Sequence, residues 1–252
     1  MKAKSDEVTR DPYDEENTSV LRNLLSIQDQ QALEISEAEI SSANMMLLYE
    51  NGFSDFSTNG IKEIHRAIFK DIYDWAGEYR IINIIKRENI LAGKSVWYAN
   101  VCDIERDLDK TWTTVNKIDW ASLDANDFAK NLAHTFPALW QAHPFRDGNT
   151  RTIVMMMTFF VEHHGFYFDQ ELFAASAGYV RKSLVLACWD EYSEYEHLER
   201  ILIDTISDEP LSQVASTDIV LATDRAEVYE KYLTEDNKPV PHEYRADGYD
   251  VG

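Results

Sequence analysis

Apolar residues that recur at threes and fours, segment after segment, restrict this chain to a helical fold more tightly than any other feature in it. Ile61, Ile64, Ile68, Ile72 and Trp75 form one such stripe. A stripe of that period is buried along its whole length only by a helix with one face against a core. Thr58 or Asn59 stands where the helix would be capped, and Gly77 where it would end. The same spacing sets in at Leu21, Leu24 and Leu25, over residues 29–49, and at Ile104, Leu108 and Trp112. Further helices are predicted over residues 125–141, kinked at Pro137, and over 150–164, closed by Gly165. Two more follow at 178–192 and 196–206, then a charged helical segment at 216–233.

One stretch breaks the period. Tyr79, Ile81, Ile82, Ile84, Ile85, Val96 and Trp97 favour strands, and Ala92, Gly93 and Lys94 can turn between them. Residues 79–99 are therefore predicted to form a short β-hairpin. The predicted fold class is all-α, a bundle of about eight helices with one small hairpin. Residues 1–17 read as a polar arm, 18–207 as the main domain, and 208–252 as a helical tail that frays after Pro239 and Pro241.

Composition excludes several classes of function. With 252 residues, 44% of them hydrophobic and six of them Trp, the chain can build a core without staples. Its formal charge of −21 makes it a poor general binder of nucleic acid or of anionic membrane surfaces. Cys102 and Cys188 are far apart with no metal-ligand spacing, so free thiols in a reducing compartment are expected. The longest apolar run, residues 153–161, is too short to span a bilayer, and the first 17 residues carry no secretory signal. A cytoplasmic protein with no nucleic-acid or membrane partner is the expectation. Delivery into another cell by a specialised secretion system would leave no trace in these features.

The chemistry concentrates in HPFRDGNTR, residues 143–151, a loop that runs straight into a helix. Gly148 and Asn149 tolerate the backbone of an anion nest. The first N–H groups of the helix, from Asn149 and Thr150 onward, have no helical partner, and the helix dipole there favours negative charge. A phosphate would sit well at that point, and Arg151 on the first turn can clamp it bidentately. Asp147 is a hard oxygen donor beside the phosphate, which suits Mg²⁺. His143 has the right basicity to take a proton from a hydroxyl. A base, a metal ligand, a cradle and a clamp are the parts that phosphoryl-type transfer requires.

This segment resembles the signature of the Fic family, H-P-F-x-[D/E]-G-N-G-R-x-x-R. His143, Pro144, Phe145, Asp147, Gly148, Asn149 and Arg151 match it. DIYDWAGEYR at 71–80 and TSVLRNLLSI at 18–27 extend the resemblance over about residues 11–206. The resemblance implies a Fic-type helical bundle that transfers AMP from ATP, with Mg²⁺, to a hydroxyl of a target protein. It implies that His143 is the base and Asp147 the metal ligand. Gly148, Asn149, Thr150 and Arg151 are then nucleotide-binding. The hairpin then corresponds to the family's flap, which holds the target segment by strand pairing. Lys86 and Arg87 stand at flap positions that line the nucleotide pocket; solvated charges on an exposed hairpin are the equal alternative.

Two motif positions depart. Thr150 replaces the usual Gly, and Val154 the second Arg. Doc-type relatives, protein kinases that transfer the γ-phosphate, share those departures, so a kinase is the first rival reading and an inactive nucleotide-binding module the second. Val154 also removes the usual partner of the family's inhibitory Glu. The stretches ending at Glu50, Glu209 and Glu227 fail to match that inhibitory motif, so regulation by an antitoxin-like partner or by oligomerisation stays open.

Overall fold

The computed structural model describes residues 11–16 and 18–209, together with the backbone of 242–245. Helix α6 (Asn149–His163) is apolar nearly all round. Ile153, Met155, Met156, Met157, Phe159, Phe160 and Val161 are all buried on it, so it runs through the middle of the bundle. Against it lies α2 (Thr58–Phe69), whose Ile61, Ile64, His65, Ile68 and Phe69 are buried. Helix α1 (Gln30–Asn51), capped by the Asp29 carboxylate, covers the other side of α2. Helices α3 (Ile104–Val115), α4 (Ala125–Thr135) and α5 (Pro137–Ala142) build the next layer, and α7 (Gln170–Ala175), α8 (Ala177–Ala187) and α9 (Glu196–Thr205) close the bundle. Among the described residues the fold is helical with two small sheets: β1 (Asn83–Lys86) pairs with β4 (His242–Arg245), and β2 (Tyr167–Phe168) with β3 (Ile206–Ser207), both antiparallel. Among the described residues no helix is long and apolar enough to cross a membrane.

Local chemistry moves several predicted boundaries. Residues 18–27 are not helical. The Asn23 amide bonds the carbonyls of Leu21 and Ile27 and the N–H of Ile27, and this local network outcompetes helix for a short segment. Leu24 is left 56% exposed. Helix α2 is capped by Ser57, and it ends at Phe69 instead of at Gly77. Ile72, Tyr73 and Trp75 keep their burial in the turns that follow. Gly77, at φ 79°, gives its N–H to His65 Nδ1 at 2.8 Å. The helix predicted over 125–141 splits at Phe136, because Pro137 has no N–H to continue the ladder. The helix predicted over 178–192 is α8, which stops at Ala187 and is followed by a short 3₁₀ turn at Asp190–Tyr192.

The stretch predicted as a polar arm is packed where it is described: Tyr13 lies in the core, and its hydroxyl accepts the Ile81 N–H at 3.1 Å. The predicted hairpin folds back on itself but carries only one bridge of its own, Arg87 to Ser95, plus the Glu88 N–H on the Lys94 carbonyl. The regular ladder of β1 runs instead to the tail strand β4, with Ile84 opposite Tyr244 and Lys86 opposite His242. The helix predicted over 216–233 lies outside the described residues.

Candidate active site

Helix α5 stops at His143, whose left-handed backbone (φ 45°, ψ 56°) turns the chain out of the helix. The loop then runs under α2 to Gly148, which caps α6. Gly148 also adopts positive φ, 76°, and a Cβ there would meet the Phe69 ring at 2.3 Å. Glycine is required twice over, by the backbone and by the close approach of α2. Within the loop the Asn149 side chain accepts the Phe145 N–H and donates to the Phe145 carbonyl, both at 2.9 Å. Asn149 is thus a staple, and only its backbone N–H remains to face an anion.

Other anchors come from far away in the sequence. His65 stacks on Phe145 with ring centroids 3.7 Å apart and bonds the Asp147 carbonyl through Nε2 at 3.1 Å. Burial lowers its pKa to about 3, so it is a neutral strut. Arg80 is buried and donates to the carbonyls of His143 and Ile82, each at 2.8 Å, and to that of Ala99. Arg146, inside the motif, makes a buried ion pair with Asp11 at 2.8 Å.

The His143 ring is buried between Tyr98, at 4.2 Å, and Trp140, at 5.3 Å between centroids. Both ring nitrogens are buried without a hydrogen-bond partner. Burial, with Lys86, Arg80 and Arg181 nearby, pushes its pKa well below the usual value. The imidazole is neutral and has a lone pair to offer, while the same burial makes it a weaker base than a free histidine. For Asp147, burial opposes ionisation, but Lys86, Arg151, the Gly148 N–H and Arg146 outweigh it and hold the carboxyl below the usual range. The Gly148 N–H reaches Asp147 Oδ1 at 2.6 Å. Among the described residues no group of three or more His, Cys, Asp or Glu could hold a metal. One ionised carboxylate fits a cation that brings its other ligands with it, as Mg²⁺ does on nucleotide phosphates.

Thr150 turns its hydroxyl to accept the Trp140 indole N–H at 3.0 Å, so the residue that departs from the motif helps fix the ring against which His143 packs. Arg151 lies over the Phe69 ring at 4.7 Å and donates to Ser41 at 2.8 Å and to Glu37. Val154 packs against the core. The strand period separates the two flap cations. Lys86 is buried towards His143 and Asp147, with burial lowering its pKa to about 8 against the pull of Asp147, whereas Arg87 is exposed. Arg181 on α8 holds the buried Glu88 carboxylate with two bonds of 2.8 Å. The predicted residues His143, Asp147, Gly148, Asn149, Thr150, Arg151 and Lys86 therefore converge, and Arg87 stands apart. Arg80 lay within a stretch singled out in the sequence. His65, Glu37 and Arg181 carry no local signal, because their roles arise only from contacts across the fold.

Known proteins share sequence and fold with this chain. Residues 55–161 match the profile of the Fic/DOC family. Over 162 residues the chain is 30% identical to the probable protein adenylyltransferase y4lH of Sinorhizobium fredii, covering 64% of this chain and 80% of that protein. Over 164 residues it is 30% identical to the protein adenylyltransferase VbhT of Bartonella schoenbuchensis, covering 65% of this chain but 33% of that protein. This chain thus spans about a third of the longer relative. The BepC effector of Bartonella tribocorum, solved with bound AMPPNP, shares the fold with a TM-score of 0.67 at 22% identity, over 78% of this chain and 97% of that one. The N-terminal Fic domain of a Bartonella quintana effector does so at 0.66 and 23% identity, over 77% and 91%.

Proposed function

The chain belongs to the Fic/DOC family, and from that premise we propose that it is a protein adenylyltransferase, moving AMP from Mg-ATP onto a Ser, Thr or Tyr hydroxyl of a target protein or of itself. The observation that carries the reading is the state of His143: neutral, buried, with both ring nitrogens unbonded, at the mouth of a helix N-terminus that can take an anion. The names of the relatives and the AMPPNP held by a protein of the same fold support the donor.

The target hydroxyl gives its proton to an imidazole nitrogen of His143 while its oxygen bonds the α-phosphorus. The bridging bond to the β-phosphate breaks and pyrophosphate leaves. The backbone N–H groups at the start of α6, with Lys86 and Arg151, stabilise the charge that grows on the phosphate oxygens. Asp147 would hold Mg²⁺, which when bound supplies further neutralisation of that charge. The flap strand β1 would orient the target by strand pairing along the edge that β4 covers here, so the target would take the place of the tail strand.

A second reading has one observation in its favour: Thr150 and Val154 stand where the motif has Gly and Arg, as in the kinases of the family. ATP labelled at the α- or the γ-phosphate separates the two. The chain, incubated with cell extract, is expected to transfer α-label. Transfer of γ-label alone would establish the kinase reading instead. No transfer of either label, with AMPPNP still bound, would leave a nucleotide-binding module.

A further inference from the structure

Arg151 does not stand alone on α6. Glu37 and Ser41 lie four residues apart on α1, so both side chains leave the same face of that helix. Arg151 Nη1 donates to Ser41 Oγ at 2.8 Å and Nη2 donates to Glu37 Oε1. The other Glu37 oxygen accepts the Tyr73 hydroxyl. Beneath the guanidinium is the Phe69 ring, the same ring that excludes a side chain at Gly148. The Glu37 side chain is 15% exposed and that of Arg151 32%. The carboxylate is therefore sunk behind the arginine, while the arginine keeps an open edge.

We propose that Glu37 is a positioning residue for the nucleotide site. It fixes the Arg151 guanidinium beside the phosphate cradle before any nucleotide arrives. The inference rests on the nucleotide-binding reading above. A guanidinium carries five N–H donors, and Ser41 and Glu37 each take one, which leaves donors for a phosphate. A flexible arginine at this position would lose rotamer freedom on binding; one already held by two bonds and a stacked ring loses less. Contact with Glu37 does not withdraw Arg151 from the site, since the guanidinium still lies over the Phe69 ring that packs against Gly148 of the cradle. Ser41 and Tyr73 act through the same two groups, Ser41 on the guanidinium and Tyr73 on the carboxylate.

Calorimetric titration of the full chain with AMPPNP and, separately, with adenosine tests this. Glu37→Gln removes the charge and keeps the shape. It is expected to weaken AMPPNP binding about three- to tenfold and leave adenosine affinity unchanged. In transfer assays the same variant should raise KM for ATP more than it lowers kcat. Glu37→Asp should recover part of the loss, and Ser41→Ala should show a smaller loss in the same direction. Unchanged or tighter AMPPNP binding by Glu37→Gln would overturn the proposal, because the carboxylate would then be neutral or a restraint. An equal loss for adenosine and AMPPNP would overturn it too, since Glu37 would be serving the fold at large. Wild-type protein that binds neither ligand would remove the nucleotide reading itself, and this inference with it.

Discussion

The catalytic loop and the flap differ in where their order comes from. Residues 143–149 hold much of their own shape, since Asn149 staples Phe145, the Gly148 N–H bonds Asp147 and two left-handed residues make the turn, and His65, Arg80 and Asp11 then anchor that shape from distant elements. The flap residues 79–99 hold their turn at 86–95 with local bonds, but not their strand. They have one bridge, one short 3₁₀ turn at Asn89–Leu91, and a strand whose ladder partner comes from the far end of the chain. A loop of the first kind can be read residue by residue from sequence. A segment of the second kind shows its period but not its partners.

The first test attacks the loop at its reacting group. His143→Asn is expected to lower transfer of label by about 10²- to 10⁴-fold while leaving AMPPNP affinity within about twofold, as removal of a general base should. Full activity in that variant would mean the loop only binds. Gly148→Ala comes next. It forces a side chain onto Phe69 and strains a left-handed residue, and should destabilise the fold by about 2–4 kcal/mol in denaturant titration. Pairing it with Phe69→Leu should recover part of the loss; no recovery would show that backbone strain dominates over crowding.

Two further tests work on the flap. Lys86→Met should weaken AMPPNP binding about tenfold, and Arg87→Gln less than twofold, because Lys86 is buried towards the site and Arg87, one residue on, is exposed. Equal effects would erase the distinction between the two cations. With the Lys86 pKa lowered to about 8, nucleotide affinity should decline as pH rises through that value, and Lys86→Met should flatten the decline.

The last test concerns stability in acid. His65 and His143 both have folded-state pKa values below the unfolded value. Below about pH 6.5 the unfolded chain takes protons that the folded one refuses, so stability falls as pH drops. Each histidine contributes up to about 1.4 kcal/mol per pH unit there. Melting temperatures at pH 7.5 and 5.5 check the sign, and a rise at the lower pH would contradict the burial described for these rings.

The contrast also explains what the sequence could convey. The helical class, α1, α3, α6 and α9 and the loop motif were legible because period, caps and a contiguous motif are local properties. Residues 18–27 carried a helical period yet failed as a helix, since Asn23 offered the backbone a better local bargain. Arg80, His65 and Glu37 were invisible as site residues because each meets the loop or α6 across more than sixty positions of chain. Thr150 was visible as an anomaly, but its role as acceptor for Trp140 emerged only from the packing of α5 against α6.

The left-handed backbone of His143 bears on how the proposed transfer can be silenced. At φ 45° a β-branched replacement would distort the turn that delivers the whole loop, and alanine would carry part of the same penalty. Asparagine, which tolerates this conformation, removes the base and leaves the turn in place. A screen of variants at 143 would therefore rank residues by backbone compatibility as well as by chemistry. An inactive valine and an inactive asparagine would mean different things: the first a displaced loop, the second a missing proton acceptor.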